Sequence, residues 1–144
     1  MQLPERRRAG TLIDRSMARG AVAAAHVIAR LPPTRMRTVL SLLAARARPA
    51  PATTVTHAHS LVVAVSSYCA GWRGCLPRAI AVGLICRCSG TWPEWAAGVR
   101  ATPPFAAHAW VVADGAIVGE PGGSTAFRAL MRVPPGRSTA PELR

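Results

Sequence analysis

The chain contains no lysine and only six acidic residues. All 18 basic residues are arginine, and the formal net charge is +12. A balance this basic first suggests an anionic partner. The arginines are scattered, however, and the only dense run is Glu5-Arg-Arg-Arg8, close to a terminus. A nucleic-acid surface needs clustered arginines interleaved with aromatics, and aromatics make up only 5% of the residues. Neither nucleic acid nor a membrane is therefore expected as a partner, and a base-composition bias towards Arg, Ala, Pro and Gly codons accounts for the charge. The shortage of carboxylates also narrows any search for a catalytic acid. Between Arg15 and Pro141 only Glu94, Asp114 and Glu120 are present.

Long hydrophobic runs are missing too. The longest apolar stretches, Leu61 to Val65 and Ala79 to Cys86, fall far short of the roughly 20 residues a membrane-spanning helix needs. The N-terminus is charged and has no apolar signal-peptide region. The expected compartment is cytoplasmic, where thiols stay reduced. Cysteines stand at 69, 75, 86 and 88. Their spacings are not the paired spacing of zinc sites, and no histidine cluster completes them. No metal and no cofactor are expected.

What remains is enough for one domain with a sizeable core: 144 residues, half of them hydrophobic. Residues 1–30 read as a tail followed by a weak helix over 11–30. The main domain reads as residues 31–135, and 136–144 as a flexible tail. Pro32-Pro33 stops the first helix. Thr34 is placed to cap a second, running to Arg48, with Met36, Val39, Leu40 and Leu43 on one face. Pro49 and Pro51 break it. Thr53 or Thr54 is placed to cap a third helix that runs to about Tyr68. His26, His57 and His59 read as surface or core histidines. A loop follows, and then an apolar helix from Cys75 that carries Cys86 and Cys88 as small core residues. Ser89 to Glu94 reads as a turn. The period then changes. Ala97 to Ala101 reads as a strand, and His108 to Ala113 alternates. Asp114-Gly115 signals a tight hairpin, and Ala116 to Glu120 is the return strand. Thr125 to Val133 adds a strand or a short helix. Helices followed by a small antiparallel sheet define an α+β fold.

The stretch that leads into that apolar helix, Gly71-Trp-Arg-Gly-Cys75-Leu-Pro-Arg78, holds the candidate for chemistry. A thiol at a helix N-terminus has its thiolate favoured by unpaired N–H groups and the helix dipole. Its partner base must stand within hydrogen-bond reach, and His108 is the only histidine in the C-terminal half. A third group should orient the imidazole. A two-residue turn at Asp114-Gly115 places Ala113 opposite Ala116, and so Ala109 opposite Glu120. Glu120 is then the diagonal neighbour of His108, and needs a bulge or twist to reach its face. Asp114 is six residues along the strand, roughly 20 Å away, and is better read as turn chemistry. Nothing places Glu94. By itself, a Cys and a His in one chain leave open a buried cysteine and a core histidine.

Three blocks carry a resemblance: Cys69-Ala-Gly-x-x-Gly-Cys75-Leu-Pro-Arg-Ala-Ile-Ala81, then Gly98-Val-Arg100 with Pro104-Phe105 and Ala107-His-Ala-Trp-Val111, then Gly119-Glu-Pro121. Over about Leu31 to Pro135 the chain resembles the leader peptidase of lasso-peptide biosynthesis, the B2-type protein. That family looks like a reduced relative of the transglutaminase-like cysteine proteases. The resemblance implies that Cys75 is the nucleophile and His108 the base. It also implies that Glu120 stands near the place where many relatives carry an orienting Asp. The acidic residue often found directly after His-Ala-Trp-Val is Val112 here. The implied reaction cuts one peptide bond in a ribosomally made precursor peptide and frees the amine of its core. The implied partners are a separate leader-recognition protein and a macrolactam synthetase that uses the freed amine. Trp72 and Trp110 flank the two catalytic positions as candidate walls of a substrate groove, with core packing the alternative for Trp110. Arg78, in the first helical turn, is a candidate contact to the leader. The competing readings are a non-catalytic scaffold and an Arg-rich peptide- or nucleic-acid-binding module.

Overall fold

Thr11 and Asp14 begin the first helix by capping each other. Thr11 Oγ1 accepts from the Asp14 N–H at 3.2 Å, and Asp14 Oδ2 accepts from the Thr11 N–H at 3.1 Å. The structure, a computed structural model, describes residues 11–103, 106–119 and 126–137. Helix α1 (Leu12–Ala29) buries Ala18 and Ala25, and these small residues let it pack closely along the later core helix.

Helix α2 (Pro33–Ala44) begins one residue before the predicted cap Thr34. Proline suits a first helical position because its missing N–H has no partner to lose there. The sequence predicts this helix through Arg48, but it ends at Ala44, because other segments hold the chain beyond it. The Leu43 carbonyl accepts from Arg87 Nε at 2.8 Å, that of Ala44 from the Gly136 N–H at 2.7 Å, and that of Ala47 from the Arg137 N–H at 3.0 Å. Arg48–Pro49 then forms β1, a parallel bridge to β2 (Thr91–Trp92).

Helix α3 (Ala52–Val65) is capped from a distance and not by Thr53 or Thr54. Pro51 offers no side-chain acceptor, and the Ala52 N–H donates to Asp114 Oδ2 at 2.9 Å. Asp114→Ala is expected to cost about 1 kcal/mol in urea unfolding, the usual size of a lost cap. Asp114→Asn, which keeps an acceptor, is expected to cost less. The helix also stops before Tyr68. Ser66 is extended (φ −136°, ψ 110°), and its Oγ accepts from the Cys69 N–H to start the short α4 (Ser67–Ala70).

A 3-10 turn (Trp72–Gly74) leads into α5 (Cys75–Cys88). This helix is buried nearly all round, from Pro77 to Gly83 and again at Ile85 and Cys86. A helix apolar on every side belongs in a core, and α1, α3 and the sheet pack against it. Burial pushes the Cys86 thiol up to about 12. Cys88, expected in the core, is exposed. Two residues beyond Cys86, it falls on the opposite side of the last helical turn.

The sheet is antiparallel, in the order β5-β4-β3-β6. Its strands are β3 (Glu94–Arg100), β4 (Ala107–Ala113), β5 (Ala116–Val118) and β6 (Phe127–Val133). The hairpin pairs Val111 with Val118, Val112 with Ile117 and Ala113 with Ala116, the register that a two-residue turn at Asp114-Gly115 dictates. Both turn residues have positive φ, 51° and 78°, as a type I′ turn requires. The predicted turn over Ser89 to Glu94 instead contains β2 and the start of β3. Two tryptophans explain the difference. Trp92 and Trp95 are fully buried, and Trp92 Nε1 donates to the Val133 carbonyl at 3.0 Å. Alternation puts Trp95, Ala109, Val111 and Ala113 in the helix-facing core. Gly98, His108 and Trp110 share the other face. The whole is an α+β fold, with the helix that begins at Cys75 packed on a small antiparallel sheet. None of the described helices is long and apolar enough to cross a membrane.

Candidate active site

Cys75 is the first residue of α5, and no side chain caps that helix among the described residues. The turn leading to it is held tightly. A Cβ at Gly74 would lie 2.1 Å from the Tyr68 carbonyl oxygen and 2.7 Å from the Cys69 Cα, so only glycine lets these segments meet. Arg78, one turn into the helix, is 9% exposed. Its Nη1 donates to the carbonyls of Cys69 at 2.7 Å and Gly71 at 3.1 Å. These described bonds of Arg78 go to the chain itself, and they staple the loop in front of Cys75.

Strand β5 pairs only with Val111 to Ala113 of β4. The stretch from Ala107 to Trp110 therefore forms a sheet edge with no strand beyond it among the described residues. The start of α5 meets the sheet here. The Cys75 sulfur lies within hydrogen-bond reach of the His108 side chain and of the Ala109 backbone N–H. Two successive residues of one strand thus serve the thiol, one through its side chain and one through its backbone. Partial burial raises the Cys75 pKa. Hydrogen bonds from His108 and from the Ala109 N–H, with the nearby charges of His108 and Arg78, outweigh that effect and hold the thiol below its ordinary value.

The imidazole itself sits in a stack of rings. Phe127 lies parallel to His108 at 4.7 Å between centroids, Trp110 lies 5.0 Å from Phe127, and His108 and Trp110 are 6.1 Å apart. Trp110 is buried, at 6% exposure. A cavity of about 190 Å³ adjoins the stack, lined by Ala96, Ile117, Ala129 and Arg132 as well as Trp110 and Phe127. A larger one, about 350 Å³, lies beyond Val112, beside Pro49, Trp92 and Pro134, away from the thiol. Trp72 differs sharply from Trp110. It is 80% exposed on the turn before Cys75, with the Arg73 guanidinium 5.0 Å from its ring.

Glu120 lies outside the described residues. The other two carboxylates considered are engaged elsewhere. Glu94 accepts from Arg132 Nη1 at 2.9 Å and is paired with Val112, roughly 13 Å along β4 from His108. Asp114 caps α3. No group of His, Cys, Asp and Glu among the described residues could hold a metal ion. Sequence reasoning missed Phe127 and the Ala109 N–H. The first is set by pairing across the sheet, and the second by where β5 ends. Neither leaves a mark in the local sequence.

A thiol at a helix start with its pKa lowered, within hydrogen-bond reach of an imidazole on a neighbouring strand, suits thiol-based acyl transfer. The profile of the transglutaminase-like superfamily matches residues 18–132. The chain belongs to that superfamily, which includes cysteine peptidases. Searches of curated proteins and of solved structures returned no significant match.

Proposed function

We propose that this protein is a cysteine peptidase that removes the leader from a ribosomally made lasso-peptide precursor. The observation that carries the reading is the Cys75 sulfur within hydrogen-bond reach of His108, with its pKa held down. The superfamily match and the three sequence blocks support it. In the mechanism, His108 takes the Cys75 proton and the thiolate attacks the scissile carbonyl. Backbone N–H groups at the start of α5 stabilise the oxyanion. The imidazolium then protonates the departing amine of the core peptide. Water, deprotonated by His108, releases the leader from the thioester. Glu120 orients the imidazole in this scheme, and Trp72 walls the substrate groove. A separate leader-recognition protein presents the precursor in the cytoplasm, and a macrolactam synthetase uses the freed amine.

The test is intact mass spectrometry of the precursor after incubation with this protein and its recognition partner. The expected result is one cut at the leader–core junction, absent with Cys75→Ala and strongly slowed with Glu120→Ala. An uncut precursor in the presence of bound partner, or a cut that survives Cys75→Ala, refutes the assignment.

A further inference from the structure

The ring stack around His108 is built from two strands that do not touch. His108 is on β4 and Phe127 on β6, with β3 between them, so their backbones are roughly 10 Å apart across the sheet. The rings nevertheless meet at 4.7 Å between centroids, inclined by only 15°. They can do so because the β3 residues between them on this face are small, Ala96 and Gly98, while Arg100, paired with Phe127, is exposed. Gly98 is paired with His108 on one side and Ala129 on the other. The register slips there, leaving Leu130 as an extra residue in β6. A Cβ at Gly98 would lie 2.0 Å from the Arg128 carbonyl oxygen, so the bulge beside Phe127 requires glycine. Trp110, two residues along β4 from His108, also packs on Phe127, 5.0 Å between centroids, so both β4 rings lean on it.

We propose that Phe127 is a positioning residue for His108. On the reading that Cys75 and His108 form the catalytic pair, its ring fixes the plane in which the imidazole faces the thiol. Its π-face also favours the charged imidazolium over the neutral ring. Both effects stabilise the thiolate–imidazolium pair. A merely structural Phe127 would affect stability and leave the titration of Cys75 unchanged.

The test is the rate of Cys75 alkylation by iodoacetamide as a function of pH, read by peptide mass spectrometry, with the exposed Cys88 as internal reference. It needs no peptide substrate. The arms are the wild type, His108→Ala, Phe127→Leu, Phe127→Met and Phe127→Tyr. At about pH 6, below the ordinary thiol range, Phe127→Leu and Phe127→Met are expected to slow Cys75 by roughly threefold or more and to shift its profile towards that of His108→Ala. Phe127→Tyr, which keeps the ring, is expected to retain the wild-type profile. Buried Cys69 and Cys86 report folding in the same spectra, and whichever apolar variant keeps them protected is the one read. Wild-type profiles in Phe127→Leu and Phe127→Met overturn the proposal. So does a Tyr variant that behaves like them, or unfolding of both apolar variants while Tyr folds, since that makes the ring structural. If His108→Ala leaves the profile unmoved, the catalytic pair itself fails, and the proposal with it.

Discussion

On the proposed function, His108→Ala is expected to slow leader cleavage by about 10²- to 10⁴-fold, the usual worth of a positioned acid–base group. Cys75→Ala is expected to leave only background hydrolysis. The two losses should not add in the double variant, because thiol and imidazole act as one unit. The pH dependence follows from the direction of the Cys75 shift. Its pKa lies below the ordinary thiol value, so the charged, reactive form persists into more acidic solution than for a free cysteine. Cleavage by the wild type should therefore hold up below the ordinary thiol range and fall as pH drops through the lowered pKa. Removing the imidazole takes away both the His108 hydrogen bond and its charge. The residual activity of His108→Ala should then rise only at higher pH. A variant profile that coincides with the wild type would separate His108 from the thiol.

Trp92→Ala should be the most damaging core substitution. The ring is fully buried and lies so close to Gly83 of α5 that a Cβ there would sit 2.9 Å from it. Its Nε1 donates to the Val133 carbonyl at the end of β6. Truncation leaves a large cavity and a buried carbonyl without its donor. The expected loss is about 3–5 kcal/mol, against a total of about 5–15 kcal/mol for an ordinary domain. Urea unfolding should show the midpoint collapse, with little native protein left at 37 °C. Arg73→Ala, whose described side-chain contact is the exposed Trp72, should leave the midpoint nearly unmoved. A similar small effect for Trp92→Ala would mean that α5, β2 and β6 are not held together as described.

Local patterns in the sequence reached as far as local physics does. The hairpin register followed from two turn residues, since a type I′ turn leaves one pairing. The apolar run after Cys75 marked the core helix, and the alternation after His108 marked its strand. Long-range polar contacts were not legible in the same way. The cap of α3 comes from Asp114, the C-terminal end of α2 is held by Arg87 and Gly136, and α2 starts at a proline, so the nearby threonines misled. Arg78 looked like a surface cation one turn into a helix, and its burial depends on the two carbonyls that turn back over it. Phe127 was invisible because its partner is on the second strand over. Glu120, chosen from the extended hairpin register, lies outside the described residues.

The burial of α5 also bears on how such a protein diversifies. The thiol is mounted on the most buried of the described helices, and the imidazole on a strand packed against that helix. Drift in either element alters folding before it alters chemistry. Trp72 and Arg73, in contrast, stand one turn before the nucleophile and reach outwards. They are free to vary with little penalty to the core. On the proposed function, selection for new peptide sequences can therefore act on that turn while Cys75 and His108 stay where they are, and related chains should differ most just ahead of their cysteine.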